Sequence, residues 1–145
     1  MAGRICVDAS LTLRLLLNEP DSDLVEALWA GWVSDGKEIC APPLLEIEAA
    51  SVLRNRVHQG QITSAQGEEA FHTLRALDIR LLHPPGLLEL AWELANRFGQ
   101  PSVYDSLYLA LAQVLGCEFW TADERLYNAI RGELPWVKRP VRPTS

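Results

Sequence analysis

Short apolar runs alternate along the chain with longer segments in which hydrophobic residues recur every three or four positions. The runs cover residues 4–7, 38–41, 79–82, 117–120 and 136–138. Such runs predict short buried strands, and the periodic segments between them predict helices. An alternation of strands and helices favours a sheet with helices on both faces. We therefore predict an α/β fold of three layers, α/β/α, with a mostly parallel, five-stranded sheet.

The periodic segments also predict where the helices begin and end. Asp23 is expected to cap the second helix, Ser102 to cap the sixth, and Gly116 to end the sixth. The helices themselves are expected over residues 11–17, 23–33, 44–58, 63–77, 87–98, 103–115 and 124–131. No repeat or linker interrupts this order. Residues 1–145 are therefore expected to form a single domain, with 140–145 as a flexible tail.

The composition is acidic, which limits how the chain can bind nucleic acid. Hydrophobic residues make up 48% of the sequence and charged residues 22%, with a formal net charge of −6. Proteins that hold nucleic acid through their overall field are normally basic. Positive charge is almost entirely arginine, since Lys37 and Lys138 are the only lysines. A nucleic-acid function would therefore depend on a local site or on bound cations.

Several features favour a protein of the cytoplasm. No apolar run is long enough to span a bilayer, and the first strand begins too early to leave room for a signal peptide. Cys6, Cys40 and Cys117 lie in or beside apolar runs, which suits reduced core thiols better than a set of disulfides. We expect no membrane association and no zinc site.

Several acids stand where a parallel sheet would gather them. Asp8 follows the first predicted strand and Asp123 the fourth, and ligands of open parallel sheets bind beyond such carboxyl ends. Asp105 lies in the first turn of an apolar helix, so we expect it to be buried. Glu46 and Glu48 lie in another apolar helix, and helical geometry does not distinguish them. With lysine scarce, clustered carboxylates favour a cation as their partner, and oxygen ligands suit Mg²⁺ or Mn²⁺.

Each acid also has a simpler interpretation. An aspartate after a strand is most often a turn former or a helix cap, which would account for Asp8 and Asp123. Asp105 would complement the partial positive charge of its helix N-terminus, and Glu48 would be a solvated helix residue. Taken one by one, these residues therefore predict no more than an α/β domain in which an acidic metal site is one option.

Taken together, four segments resemble the PIN-domain ribonucleases, and specifically the VapC-type toxins of toxin–antitoxin pairs. Val7-Asp8-Ala9-Ser10 looks like the opening VDAS of that family. Residues 41–53 resemble its AP.LL..E.aN.L segment, residues 104–112 are similar to its YDa.YlalA helix, and residues 121–126 match its TaD.rL. Each motif is weak by itself, but the four occur in the family's order and spacing over nearly the whole chain.

The resemblance implies a metal-dependent endoribonuclease that uses Mg²⁺ or Mn²⁺. It also selects Glu48 over Glu46, because the family's acid precedes the closing leucine by five positions. Ser51 stands where the family commonly has asparagine, which is not a core metal ligand. The implied catalytic and metal-binding residues are Asp8, Glu48, Asp105 and Asp123.

Further residues have expected roles around this site. Ser10 and Thr121 would hydrogen-bond the acids or a phosphate, with helix capping as an equal alternative. Four arginines are candidate phosphate contacts, with a solvated surface position as the simpler interpretation of each: Arg14, Arg54, Arg56 and Arg125.

The resemblance also implies partners. These are an RNA substrate, a second copy of the chain in a homodimer, and a VapB-type antitoxin whose tail packs in a groove near the active site. Trp29 and Trp32 lie on one predicted helix and suit such an interface. Core packing is nevertheless the favoured interpretation for at least one of them.

Two other functions compete with a nuclease. A catalytically silent PIN fold would serve as an antitoxin-binding scaffold, but it would have no physical reason to keep four mutually repelling carboxylates. A haloacid-dehalogenase-type phosphatase is a weaker alternative. Its second aspartate is replaced here by Ser10, and no suitably placed lysine is present.

Overall fold

Across residues 3–142, which the computed structural model describes, five strands and seven helices follow one another in the predicted order. The strands are β1 (Arg4–Val7), β2 (Glu38–Ala41), β3 (Ile79–Leu81), β4 (Glu118–Trp120) and β5 (Val137–Lys138). The helices are α1 (Ala9–Leu16), α2 (Ser22–Ser34), α3 (Leu44–His58), α4 (Ser64–Ala76), α5 (Leu87–Arg97), α6 (Tyr104–Leu115) and α7 (Glu124–Ile130). The predicted three-layer α/β/α architecture is confirmed.

The sheet is parallel throughout and has the strand order β3-β2-β1-β4-β5. β1 is the central strand, and its last residue, Val7, pairs with Trp120 at the end of β4. Because all strands run the same way, their carboxyl ends meet at one edge of the sheet. The segments that begin at Asp8 and at Thr121 therefore leave this edge side by side.

The core lies where the helices pack on the central strands. Val7 of β1 and Phe119 of β4 are fully buried, and α6 adds the fully buried Leu109 and Leu111 to the same cluster. Each buried leucine contributes roughly 1.5–3 kcal/mol, because its apolar surface leaves water. This packing fixes α6, whose first turn contains Asp105, against the sheet.

The two tryptophans of α2 face the core. Trp29 and Trp32 each retain 7% of their surface exposed, and the Trp32 ring meets that of Trp120 edge-on with 5.4 Å between centroids. The expectation that at least one of them packs in the core is confirmed and holds for both, so the alternative of a partner interface at these rings is wrong. An apolar stripe on a helix does not reveal whether its aromatic residues pack inside or bind a partner.

Helix α2 begins one residue earlier than predicted, and Asp23 does not cap it. The Ser22 hydroxyl accepts a hydrogen bond from the Glu19 amide (2.9 Å) and donates one to the Leu17 carbonyl (2.8 Å). These bonds close the preceding loop, so the helix starts at Ser22. Asp23 lies exposed in the first turn, where it pairs with Arg142 at 2.7 Å.

Of the two residues predicted to bound α6, Gly116 is confirmed and Ser102 is not. Gly116 ends the helix in the left-handed conformation (φ 66°), as predicted, because glycine has no Cβ to oppose it. Ser102 does not cap the helix, and Val103 occupies the cap position without a side-chain hydrogen bond. The cap prediction is therefore wrong by one residue.

Three remaining predictions concern the thiols, the membrane and the tail. The three cysteines are free, as predicted, with Cys6 and Cys40 buried and Cys117 partly exposed. No helix within the described part of the chain is long and apolar enough to cross a membrane. Residues 143–145 of the predicted tail lie outside the described residues, so the tail and the single domain stay predictions.

Candidate functional site

Asp8 is buried at the carboxyl end of β1 and accepts three hydrogen bonds. It retains 4% of its surface exposed. The Ser10 hydroxyl (2.7 Å) and the Leu11 amide (2.9 Å) donate to Oδ1, and the Thr121 hydroxyl (2.5 Å) donates to Oδ2. A buried charge is tolerated only when such bonds replace water. Asp8 is therefore fixed in place at the edge of the sheet.

Ser10 and Thr121 connect the ends of β1 and β4. Each hydroxyl donates its only proton to Asp8 and accepts an amide N–H from the segment after β4. Ser10 accepts from Ala122 and Thr121 accepts from Asp123, both at 3.0 Å. The predicted hydrogen bonds to the acids are thus present for Asp8, while a contact with phosphate stays a prediction.

Asp8 and Asp123 both cap helices, as the simpler interpretation predicts. Asp123 Oδ1 accepts the Leu126 amide at 3.1 Å at the start of α7, as Asp8 accepts the Leu11 amide at the start of α1. A carboxylate has about four acceptor positions, and one cap occupies a single position. Capping therefore does not prevent either aspartate from binding a further group.

The structure separates the two glutamates of α3. The Tyr108 hydroxyl of α6 donates a short hydrogen bond to Glu48 Oε1 (2.5 Å), so Glu48 faces the helix that contains Asp105. Glu46 instead forms an ion pair with Arg75 of α4 at 2.8 Å. The sequence analysis assigned no role to Tyr108 at the site. Its position three residues after Asp105, which puts both residues on one face of a helix, is the signal that could have found it.

Asp105 is half-buried, not fully buried as predicted, because the first turn of α6 extends beyond the core. Burial raises the pKa of its carboxyl, the negative charges of Asp123 and Glu48 raise it further, and Arg125 lowers it. No hydrogen bond from residues 3–142 contributes to this pKa. Asp105 is thus the least constrained carboxylate of the four.

The four predicted acids lie close enough to influence one another. Burial raises the pKa of Asp8 to about 6 against the lowering effect of its hydrogen bonds, and the charge of Asp105 adds to the rise. The negative charges of Asp123 and Glu48 in turn raise the pKa of Asp105. The fold therefore brings together one acid from the end of β1, one from α3, one from α6 and one from the start of α7.

The donor set fits a hydrated divalent cation better than a closed metal cage. Among residues 3–142, no three His, Cys, Asp or Glu side chains form a ready-made ion site. Protein donors occupy three of the roughly four acceptor positions of Asp8 and one each on Glu48 and Asp123, so Asp105 and the second oxygens of Glu48 and Asp123 are the most available to a ligand. Mg²⁺ keeps several waters and uses few carboxylates directly. A cation also stabilises the charged form of carboxyl groups whose pKa values are raised, as they are for Asp8 and Asp105.

Replacing Thr121 by Val is expected to lower the free energy of unfolding by about 1–3 kcal/mol. Valine keeps the buried volume but removes the proton donor of Asp8 Oδ2 and the acceptor of the Asp123 amide. Thr12→Val is the matched control, because the buried Thr12 hydroxyl only adds a second bond to the Asp8 carbonyl. Urea unfolding should show the larger loss for Thr121→Val, and equal losses would contradict the special role of Thr121.

Lowering the pH is expected to stabilise the cation-free protein relative to Asp8→Asn. Folded Asp8 has a pKa of about 6, against an ordinary value of 3.8. The folded state therefore binds this proton more tightly than the unfolded state, and stability rises as the pH falls. Between pH 7 and pH 5 the gain is about 1 kcal/mol. Denaturant unfolding with chelator at both pH values measures it, and a wild-type-to-variant difference independent of pH would contradict the prediction.

Comparisons with known proteins show the family of this chain. Residues 5–131 match the PIN domain family. The chain is 33% identical to ribonuclease VapC9 of Mycobacterium tuberculosis over 131 residues, which cover 90% of this chain and 94% of that protein. It is also 38% identical to ribonuclease VapC1 of the same organism over 90 residues, which cover 61% of this chain and 65% of that protein.

Two solved structures share the fold. VapC20 of Mycobacterium tuberculosis, described as a sarcin–ricin loop cleaving toxin, has a TM-score of 0.68 at 22% identity and covers 96% of this chain and 99% of its own. A chain of a toxin–antitoxin complex from Klebsiella pneumoniae has a TM-score of 0.60 at 15% identity with the same coverage. At these identities the likeness establishes the fold alone.

Proposed function

We propose that this chain, which belongs to the PIN-domain family and to its VapC-type ribonucleases, hydrolyses RNA phosphodiesters at the four-acid site with a divalent cation, Mg²⁺ or Mn²⁺. It would act as the toxin of a toxin–antitoxin pair. The observation that supports this most strongly is the convergence of Asp8, Glu48, Asp105 and Asp123 at the carboxyl edge of a parallel sheet, where burial raises the pKa values of Asp8 and Asp105 and neighbouring carboxylates add to the rise.

The residues of the site have distinct tasks in this proposal. Asp8 is a rigid anchor, because Ser10 and Thr121 hold both of its oxygens. Asp105 and Asp123 would hold the cation through oxygens that no donor within residues 3–142 occupies. A divalent cation held there would supply positive charge to the scissile phosphate and lower the pKa of a bound water.

Glu48 completes this set from the opposite helix. The Tyr108 hydroxyl fixes its Oε1, which leaves Oε2 to contact the cation or to orient the attacking water. Tyr108 is therefore a positioning residue that acts through Glu48. Burial raises the pKa of the Tyr108 hydroxyl, as does its bond to Glu48, so it stays protonated and keeps donating.

The partners follow from the family and from the substrate. We propose a VapB-type antitoxin, in line with the toxin–antitoxin complex among the structural relatives, and a homodimer as the active form. We place the activity in the cytoplasm, where RNA is available. Membership of the PIN family leaves the haloacid-dehalogenase-type phosphatase without support.

The test is cleavage of a mixed RNA pool by antitoxin-free protein with Mg²⁺, with Mn²⁺ or with a chelator. We expect defined fragments with a cation and none with the chelator, together with a rise in melting temperature on addition of the cation. A folded protein that cuts no RNA with either cation would favour the catalytically silent scaffold instead. Cleavage that persists with the chelator would contradict the cation-dependent mechanism.

A further inference from the structure

Two of the three thiols contact each other across neighbouring strands. Cys6 lies in β1 and Cys117 directly precedes β4, and their sulfur atoms are 3.6 Å apart, with the Cys6 thiol donating a weak hydrogen bond. The two residues are 111 positions apart in the chain, so the pairing of β1 with β4 brings them together. The four-acid site uses neither thiol, and their contact therefore needs an explanation of its own.

The two sulfur atoms differ in their access to solvent. Cys6 retains 1% of its surface exposed, whereas Cys117 is partly exposed and lines a cavity of about 570 Å³. Arg4, Lys37 and Trp136 line the same cavity, and each stands at or just before the start of a strand. The cavity therefore lies at the amino-terminal edge of the sheet, away from the acids at the carboxyl edge. A small oxidant in this cavity meets Cys117 first.

The surroundings of Cys117 favour its thiolate, which is the form of cysteine that reacts with oxidants. The hydrogen bond from the Cys6 thiol lowers the pKa of the Cys117 thiol, and the Cys6 backbone and the charge of Arg4 act in the same direction. Burial and the charge of Glu118 oppose these effects without outweighing them. Cysteines that sense oxidants combine thiolate character, exposure and a second cysteine nearby. Cys117 has all three features.

We propose that Cys117 is a site of oxidation by hydrogen peroxide, and that Cys6 converts the oxidised sulfur into an intramolecular disulfide. First, the Cys117 thiolate attacks a peroxide oxygen, the O–O bond breaks and hydroxide leaves, which gives a sulfenic acid. Then the Cys6 sulfur attacks the Cys117 sulfur, the S–O bond breaks, and the leaving hydroxide takes the Cys6 proton to form water. The hydroxide of the first step takes up the proton that Cys117 had released. Two thiols are thus oxidised by two electrons, and one peroxide is reduced to two waters.

The disulfide requires the two sulfur atoms to approach from 3.6 Å to about 2.05 Å. Cys6 stands opposite Phe119 in the register of β1 and β4, so Cys117, two positions earlier, is its diagonal neighbour. Diagonal neighbours lie about 7–8 Å apart, which slightly exceeds the usual Cα separation of a disulfide. Cys117 can move because it lies in the connection between α6 and β4, directly after Gly116. The bond would be strained, and strained disulfides are readily reduced, so we expect the oxidation to be reversible.

The test treats the whole protein with hydrogen peroxide at neutral pH, in the presence of a chelator that prevents metal-catalysed oxidation. Peptide mapping by mass spectrometry should show a linked pair of peptides that contain Cys6 and Cys117, with the loss of two hydrogens. Dithiothreitol should restore both thiols. Cys40 is fully buried, so its oxidation should be at least about tenfold slower than formation of the disulfide.

Three variants separate the two steps. In Cys6→Ser the hydroxyl keeps a proton donor beside Cys117 but cannot form a disulfide, so sulfenic acid on Cys117 should accumulate and react with dimedone. Cys117→Ser should abolish both the disulfide and the dimedone adduct. Cys40→Ala is the matched control, because it removes a buried thiol from the strand on the other side of β1 and should leave the disulfide unchanged. Melting temperatures show whether each variant is folded, and the wild-type peptide map decides the pairing by itself.

Three results would overturn the proposal, and none of them depends on RNA cleavage. Wild-type protein that stays reduced, under conditions that oxidise a cysteine-containing peptide, would exclude Cys117 as a site of oxidation. A disulfide between Cys6 and Cys40 would also contradict it, because the fully buried Cys40 would then take the place of Cys117. Sulfenic acid that persists on Cys117 of the wild type without a disulfide would remove Cys6 from the second step. The oxidation is thus tested independently of the proposed ribonuclease function.

Discussion

Asp105→Asn is expected to reduce RNA cleavage at least about a hundredfold while the protein stays folded. Loss of a residue that only supports a metal ligand costs roughly 10–100-fold, so loss of a direct oxygen ligand should reach or exceed the upper value. Asp105 is half-buried and no hydrogen bond from residues 3–142 contributes to its pKa, so its replacement should disturb no other contact. Relief of repulsion with Asp123 and Glu48 should even stabilise the cation-free fold slightly.

Two measurements check this expectation. Initial cleavage rates with Mn²⁺ should fall for Asp105→Asn and stay at the wild-type level for Asp78→Asn, which removes an exposed carboxylate in the turn before β3. Melting temperature should rise with added Mn²⁺ in the wild type and rise much less in Asp105→Asn. Full activity in Asp105→Asn would remove this residue from the site, even if the cation dependence held.

The position of the acids explains how an acidic chain can act on an anionic substrate. With a net charge of −6, the protein repels RNA at long range. A cation bound at the proposed site would neutralise negative charge locally, where Asp8 and Asp105 have raised pKa values. Most arginines that could counter the charge elsewhere are held in ion pairs, such as Arg75 with Glu46. Substrate affinity should therefore depend on the cation and on the few unpaired arginines of residues 3–142, among which Arg125 borders the acids.

Much of the fold follows from local sequence signals. The apolar run of β1 and the helical periodicity of α3 reflect local interactions, and both elements lie where they were expected. The end of α6 at Gly116 follows from the conformational freedom of one residue. The start of α2 was missed because the Ser22 bonds to Glu19 and Leu17 depend on the loop, which no periodicity describes.

The candidate site was predictable as a set of acids but not as a network. Parallel strands place Asp8 and Asp123 at one edge, and this follows from topology alone. The contact of Tyr108 with Glu48 depends on which faces of α3 and α6 meet, which is a tertiary property. Likewise, Thr121 bonds to Asp8, and the Ala122 amide to Ser10, only because β1 and β4 are neighbours in the sheet.

Glu48→Gln and Glu46→Gln form a matched pair on α3 with opposite expected results. In Glu48→Gln the amide carbonyl oxygen would still accept the Tyr108 hydroxyl, so packing is kept while the negative charge is lost. Because Glu48 either binds the cation or orients water, cleavage should fall roughly 10–100-fold. Glu46→Gln breaks only the partly exposed ion pair with Arg75, which is worth about 0.2–1 kcal/mol of stability, and cleavage should be unchanged.

Cleavage rates over a range of Mn²⁺ concentrations up to saturation of the wild type and beyond, together with thermal unfolding of both variants, decide between the two glutamates. A loss in Glu48→Gln that more Mn²⁺ partly restores would mean that the carboxylate binds the cation. A loss that Mn²⁺ does not restore would mean that it orients water. Equal activity of the two variants would exclude Glu48 from the site, and a loss confined to Glu46→Gln would mean that the contact with Tyr108 is structural only. The pair differs by two positions on one helix, so helix propensity and net charge cancel and only the surroundings of each carboxylate remain to explain the difference.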